Sequence, residues 1–145
     1  MVMDREIQLH DSEISSIKNI DGLISIVFST AYVHESTGIP GFHSGVLWSQ
    51  RAKLTISDAL STPTVRELPI WVTAGALHVD SIIHEEFIPS KGLFKGEVEF
   101  NVQLSNEDDS CRSFLKVKGR VIAIELVGDR SEIVEFDGPP RREAW

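Results

Sequence analysis

The chain has 145 residues, 41% hydrophobic and 25% charged, a globular composition at a length that suits one domain. Lys and Arg number 14 against 22 Asp and Glu, and the resulting net charge of −8 repels a nucleic-acid backbone and favours a basic protein partner. The single cysteine, Cys111, excludes an internal disulfide framework and a cysteine-based zinc site, and it fits a reducing cytoplasm.

The first residues, MVMDREIQLHDSEI, carry acids from Asp4 onward and lack the apolar run of a signal peptide. No apolar stretch approaches the ~20 residues a membrane helix requires. The expectation is a cytoplasmic protein with neither a nucleic acid nor a membrane as partner. In Leu9-His-Asp-Ser12, Asp11 and Ser12 suit a turn held by side-chain hydrogen bonds to the backbone, with His10 holding a carbonyl or carboxylate. A first strand is expected over about Ser15–Ile20, although the spacing of Ile14, Ile17 and Ile20 also permits a short helical turn. Asp21-Gly22 is a two-residue hairpin signal leading into Leu23–Val33, which is apolar on both parities and reads as a central strand.

The segment His34–His43 is long enough for a binding lip, and plain loop turning is the simpler reading. Gly41-Phe-His-Ser-Gly45 has the order G-x-x-S-G and so departs from a nucleophile elbow. Arg51–Ser57 alternates apolar and polar residues, as does Leu93–Leu104, where Phe94, Val98, Phe100, Val102 and Leu104 share one parity. Between them, Pro69–Val79 and Ile82–Phe87 read as extended. Ser105–Ser110 is a polar loop whose acids Glu107, Asp108 and Asp109 lack the spacing of a calcium site. The same acids disfavour a thiolate at Cys111. Arg112–Val127 changes its apolar parity and requires a bend near Gly119. Gly128-Asp129 turns the chain into a last strand, Glu132–Phe136. Residues 1–140 form one domain on this reading, with 141–145 a loose tail. Trp48 and Trp71 sit in apolar contexts and read as core anchors. The fold class is all-β: an antiparallel β-sandwich or partly closed β-barrel of about seven to nine strands.

One stretch concentrates chemistry. In ALHVDSIIHEEF (Ala76–Phe87), His78 and Asp80 share a parity, as do His84 and Glu86. With a turn at Asp80-Ser81, the two pairs could converge from adjacent strands to hold a divalent transition metal. The stretch also has a faint similarity to the first metal motif of cupins, but Asp80 stands where the second histidine is expected and no second motif follows. The leading reading is a solvated strand face guarding a sheet edge, with no metal or other cofactor.

Leu9-His-Asp-Ser-Glu-Ile14 resembles the Phe/Leu-His-Asp-x-x-Leu/Ile start of a loose group of small, largely uncharacterised bacterial β-proteins. Lys118-Gly-Arg-Val121, Glu125-Leu-Val-Gly128 and Ile133-Val-Glu-Phe136 are similar to that group as well, so the likeness touches both ends of the chain. Some members are similar to immunity proteins of bacterial toxin systems. The resemblance implies a small cytoplasmic β-domain and carries over no catalytic residue.

The sequence has no P-loop, dinucleotide fingerprint, H-E-x-x-H helix or cysteine metal pair. The expectation is a non-enzymatic protein-binding domain of immunity-like type, working through acidic loops and strand edges, with a homodimer as a further use of those edges. The alternative is a metal- or small-ligand-binding barrel using His78, Asp80, His84 and Glu86.

Overall fold

The computed structural model describes residues 3–60, 67–106 and 112–137. It contains β1 (Asp4–Ile20), β2 (Leu23–Ser36), β3 (Gly45–Ser57), β4 (Ile70–Val79), β5 (Ile82–Glu85), β6 (Phe87–Pro89), β7 (Gly92–Ser105), β8 (Arg112–Val127) and β9 (Val134–Phe136). Six of them close into an antiparallel ring in the order β1-β2-β3-β8-β7-β4, with β4 returning to β1. The three short strands attach outside it: β5 on β4, β6 on β1 and β9 on β3. The barrel is therefore closed, which settles the choice between sandwich and barrel.

Alternation fixes what the ring encloses. Ile7, Ile26, Phe28, Leu54, Leu77, Phe100 and Val117 are fully buried and fill the lumen with side chains. On β7, Val98, Phe100, Val102 and Leu104 point inward, while Glu99, Asn101 and Gln103 point out, as their spacing predicts. Trp48 is buried, and the guanidinium groups of Arg5 at 5.3 Å and Arg130 at 4.9 Å lie over its ring. Arg5 also pairs with Glu35 on the neighbouring strand. Trp71 is only half-buried.

Asp21-Gly22 makes the expected hairpin, with φ positive at both residues and Ile20 opposite Leu23. Asp80-Ser81 turns β4 into β5 with φ positive at Asp80, and Val79 faces Ile82. The bend expected near Gly119 is present: burial moves from Leu115, Val117 and Gly119 to Ile122 and Ile124. An extra residue on β7 between Lys95 and Val98, opposite that bend, gives the sheet its coil.

The first strand is a correction. It begins at Asp4, far upstream of Ser15, and contains no helical turn. The His-Asp-Ser stretch is a wide bulge within it: Leu9–Ser12 stand opposite Ala31 alone. Asp11 takes φ +69°, and the Ser12 hydroxyl donates to the Gln8 carbonyl at 2.8 Å. His10 Nδ1 donates to the Thr73 carbonyl of β4 at 2.7 Å, the carbonyl-holding role its sequence context suggested. A neutral glutamine and a seryl hydroxyl satisfy locally what a regular ladder would have paired. Glu107–Cys111 and the 141–145 tail lie outside the described residues.

Candidate functional site

The four residues of the sequence-derived metal cluster are each placed by the fold, and they do not converge. His78 stands opposite Ile83, and Leu77 opposite His84. Residues directly opposite share a face, so the two imidazoles lie on opposite faces of the β4–β5 ribbon. Asp80 occupies the hairpin turn, where its carboxylate accepts from the Glu97 amide at 2.8 Å and its own amide donates to the Glu97 carbonyl at 2.9 Å. Gly96 lies so close to that carboxylate that a Cβ there would strike it. Glu86 is a pivot with φ +63° between β5 and β6. Its amide donates to the Gly75 carbonyl, its carbonyl accepts from Leu9, and its carboxylate accepts from the Gly75 amide at 2.9 Å. Among the described residues no group of three His, Cys, Asp or Glu side chains is arranged to hold a metal ion.

The loop after His34 is also rearranged relative to expectation. His34 and Ser36 belong to β2 and are buried. The Ser36 hydroxyl donates to the Ser44 carbonyl and accepts from the Gly38 amide, and His43 Nδ1 accepts from the Ile39 amide at 2.7 Å. Gly41 packs directly on the Phe87 ring. His43 is therefore a loop brace, and no described hydrogen bond sets it against Ser44 as a catalytic base.

The most exposed large aromatic among the described residues lies elsewhere. Phe114 on β8 is 72% exposed and separates two shallow recesses on the outer wall of β4, β7 and β8. One recess, of about 610 Å³, has a floor of Ala74, Gly75 and Ala76. Lys116 and Phe114 stand on one side of it and Glu85 on the other. The second, of about 640 Å³, adds Trp71, Thr73 and Asp11 around the same phenyl ring. Register explains the layout. Ala74 pairs with Gln103 and Gln103 with Phe114, while Glu85, Ala76, Asn101 and Lys116 form the next row. Small residues on β4 lower the floor that Phe114 overlooks.

Electrostatics give this wall an ordered rim. Lys116 Nζ lies 3.0 Å from Glu99 Oε1 on the adjacent strand. Its hydrogen bond, with help from Asn101 and Lys118, holds the Glu99 carboxyl below the usual carboxylate range. The outward parity of β8 reads Arg112, Phe114, Lys116, Lys118 and Arg120, four cations and one aromatic on a chain of net negative charge. Basic residues counted along the sequence look scattered. Counted at period two, they form one row, and that spacing was the available signal.

Comparison with known proteins finds no matching family model, no matching curated protein and no matching solved structure.

Proposed function

We propose that the chain is a non-enzymatic protein-binding domain that engages its partner through the outer wall of β4, β7 and β8, with Phe114 as the anchor. The observation that carries this reading is Phe114 itself, 72% exposed between two recesses. A phenyl ring held in water gains about 1.5–3 kcal/mol when a partner covers it. Aromatic anchors over small-residue floors, ringed by amides and charges, are the usual composition of an interface centre. Asn101 and Gln103 add side-chain amides suited to the backbone of a partner segment. The lumen is filled, so recognition belongs to the outside of the barrel.

Immunity-type binding is the biological form we favour. The N-terminal motif supports it through resemblance, and the net charge of −8 supports a partner of net positive charge whose patch against the β8 row carries acids. The test is a photo-reactive residue placed at Phe114 in the full chain, expressed in the cells that make it, with Thr55 on the β3 wall as control. Position 114 should trap one discrete protein. Untagged wild-type chain should compete for it about ten-fold better than Phe114→Asp, the loss expected for a central aromatic. Equal trapping from Thr55, or equal competition by Phe114→Asp, would remove this wall from consideration.

A further inference from the structure

His34 is titratable, buried and unused by the binding wall. It is 4% exposed, and its ring is turned away from the lumen onto the outside of β2. Two accessory strands cover it there: Phe87 of β6 meets the ring edge-on at 5.4 Å and Phe136 of β9 at 5.0 Å. Nε2 lies 2.9 Å from Gln8 Oε1, while the Gln8 amide nitrogen donates to the His10 carbonyl at 2.8 Å. That second bond turns the Gln8 oxygen toward the imidazole, so Nε2 carries the ring hydrogen. Nδ1 is then a bare acceptor, and it has no hydrogen-bond partner among the described residues. A second proton must go to Nδ1, in a site walled by two phenyl rings and closed to water.

We infer that His34 is an acid-sensitive latch: a proton taken up at Nδ1 releases β9, and with it the Phe136 cover, while the six-strand ring stays closed. β9 is the element that yields because three register pairs to Gly45, Val46 and Leu47 join it to the sheet. β6 is threaded between β5 and β7, and its Phe87 is also packed under Gly41. Uncovering His34 gives the imidazolium water in place of the missing acceptor, which is the differential interaction a switch requires.

The surroundings agree. From β3 the residue opposite His34 is Leu47, and from β1 the neighbours on this face are Gln8 and Glu6. Among the described residues, Glu6 is the titratable group facing His34 from the packed strands, with Tyr32 on the same face of β2 itself, and Glu6 makes no described hydrogen bond or ion pair to the ring. Burial, reinforced by Asp4, holds its carboxyl above the usual range. Burial holds the His34 imidazole below the ordinary histidine range. The two groups act with opposite sign. Between the ordinary pKa near 6.5 and the lower value of the closed form, only opened or unfolded chains take the His34 proton, so acidification favours opening. Glu6 binds its proton more readily in the folded form, so acidification through its raised pKa favours the folded form.

Amide exchange of the full chain from about pH 7.5 to about pH 5, corrected for intrinsic rates, tests the latch. Protection at Val134–Phe136 and Gly45–Leu47 should fall about ten-fold below roughly pH 6.5, while Leu54 and Ile124 keep theirs. His34→Phe, which suits the aromatic cage and cannot titrate, should abolish the pH dependence, and Glu6→Gln should retain it. Invariant protection in the wild-type chain, or the same acid loss in His34→Phe, would overturn the inference. Should His34→Phe fail to fold, the wild-type imidazole can be titrated by nuclear magnetic resonance. A ring that protonates without moving the Phe136 signals would overturn the inference equally.

Discussion

Four neighbours in sequence, His78, Asp80, His84 and Glu86, have separate duties in space. Two are turn or pivot residues whose carboxylates hold backbone amides, and two are imidazoles on opposite faces of a ribbon. Period-two spacing within each pair was legible, but whether the pairs share a face depends on the hairpin register, which composition does not encode. The turn residues Asp80 and Ser81 place Leu77 opposite His84, and that single fact separates the histidines. The expected outcome is that His78→Ala with His84→Ala leaves any bound zinc or nickel unchanged by elemental analysis. Denaturant unfolding of the same variant should shift by no more than about 1 kcal/mol, the range of surface changes. Phe114 teaches the converse. Its neighbours Leu115 and Val117 were readable as core, so its own outward direction followed from the sequence, but the depth of the recesses beside it depends on alanines about forty residues upstream.

At the scale of elements, strand positions were read well where alternation was strict and less well where the chain departs from it. β7 and β8 match their expected spans closely, because a lumen on one side and water on the other impose period two. β1 was shortened in the reading because Leu9–Ser12 interrupt the alternation, and a bulge looks like a turn when only local sequence is visible. The β8 bend rests on Gly119. A Cβ there would sit 2.5 Å from Ile56 Cγ2 and 2.6 Å from the Ser57 carbonyl oxygen, closer than side-chain carbons are found. The backbone oxygen cannot rotate away, so Gly119→Ala must push β3 and β8 apart. We expect it to cost about 1–3 kcal/mol in equilibrium unfolding, the range for overpacking a filled core. Gly128, with open space around its Cβ position, marks a place where bulk is no obstacle and only the positive φ resists substitution.

The whole molecule combines a solid interior with an unevenly charged exterior. The balance of −8 is a property of the full surface, whereas the row on β8 is basic, so the two act at different ranges. Beyond about 8 Å of salt water at physiological ionic strength, a partner senses mainly the average field; within contact it meets Phe114, Lys116 and Glu85. For the basic partner proposed above, the association rate should fall by about ten-fold or more as salt rises from low to physiological strength. Phe114→Asp should act mainly on dissociation, and stopped-flow or surface binding kinetics would separate the two. That the chain is all-β and many-stranded was written in its periodicities, but ring closure was not. Closure rests on Glu13 and Ile14 meeting Trp71 and Ile70, a contact between segments with no shared local signal. The pairing order has a further result during synthesis. β3 can join β2 as soon as both leave the ribosome, but residues 51–57 wait for 121–127 to cover their other side. At ordinary translation speeds that delay is roughly three to fourteen seconds. Throughout it, the nascent chain carries a bare strand rim of Ala52, Leu54 and Ile56, which makes early ribosome release or a stop codon before Val127 a direct route to aggregation.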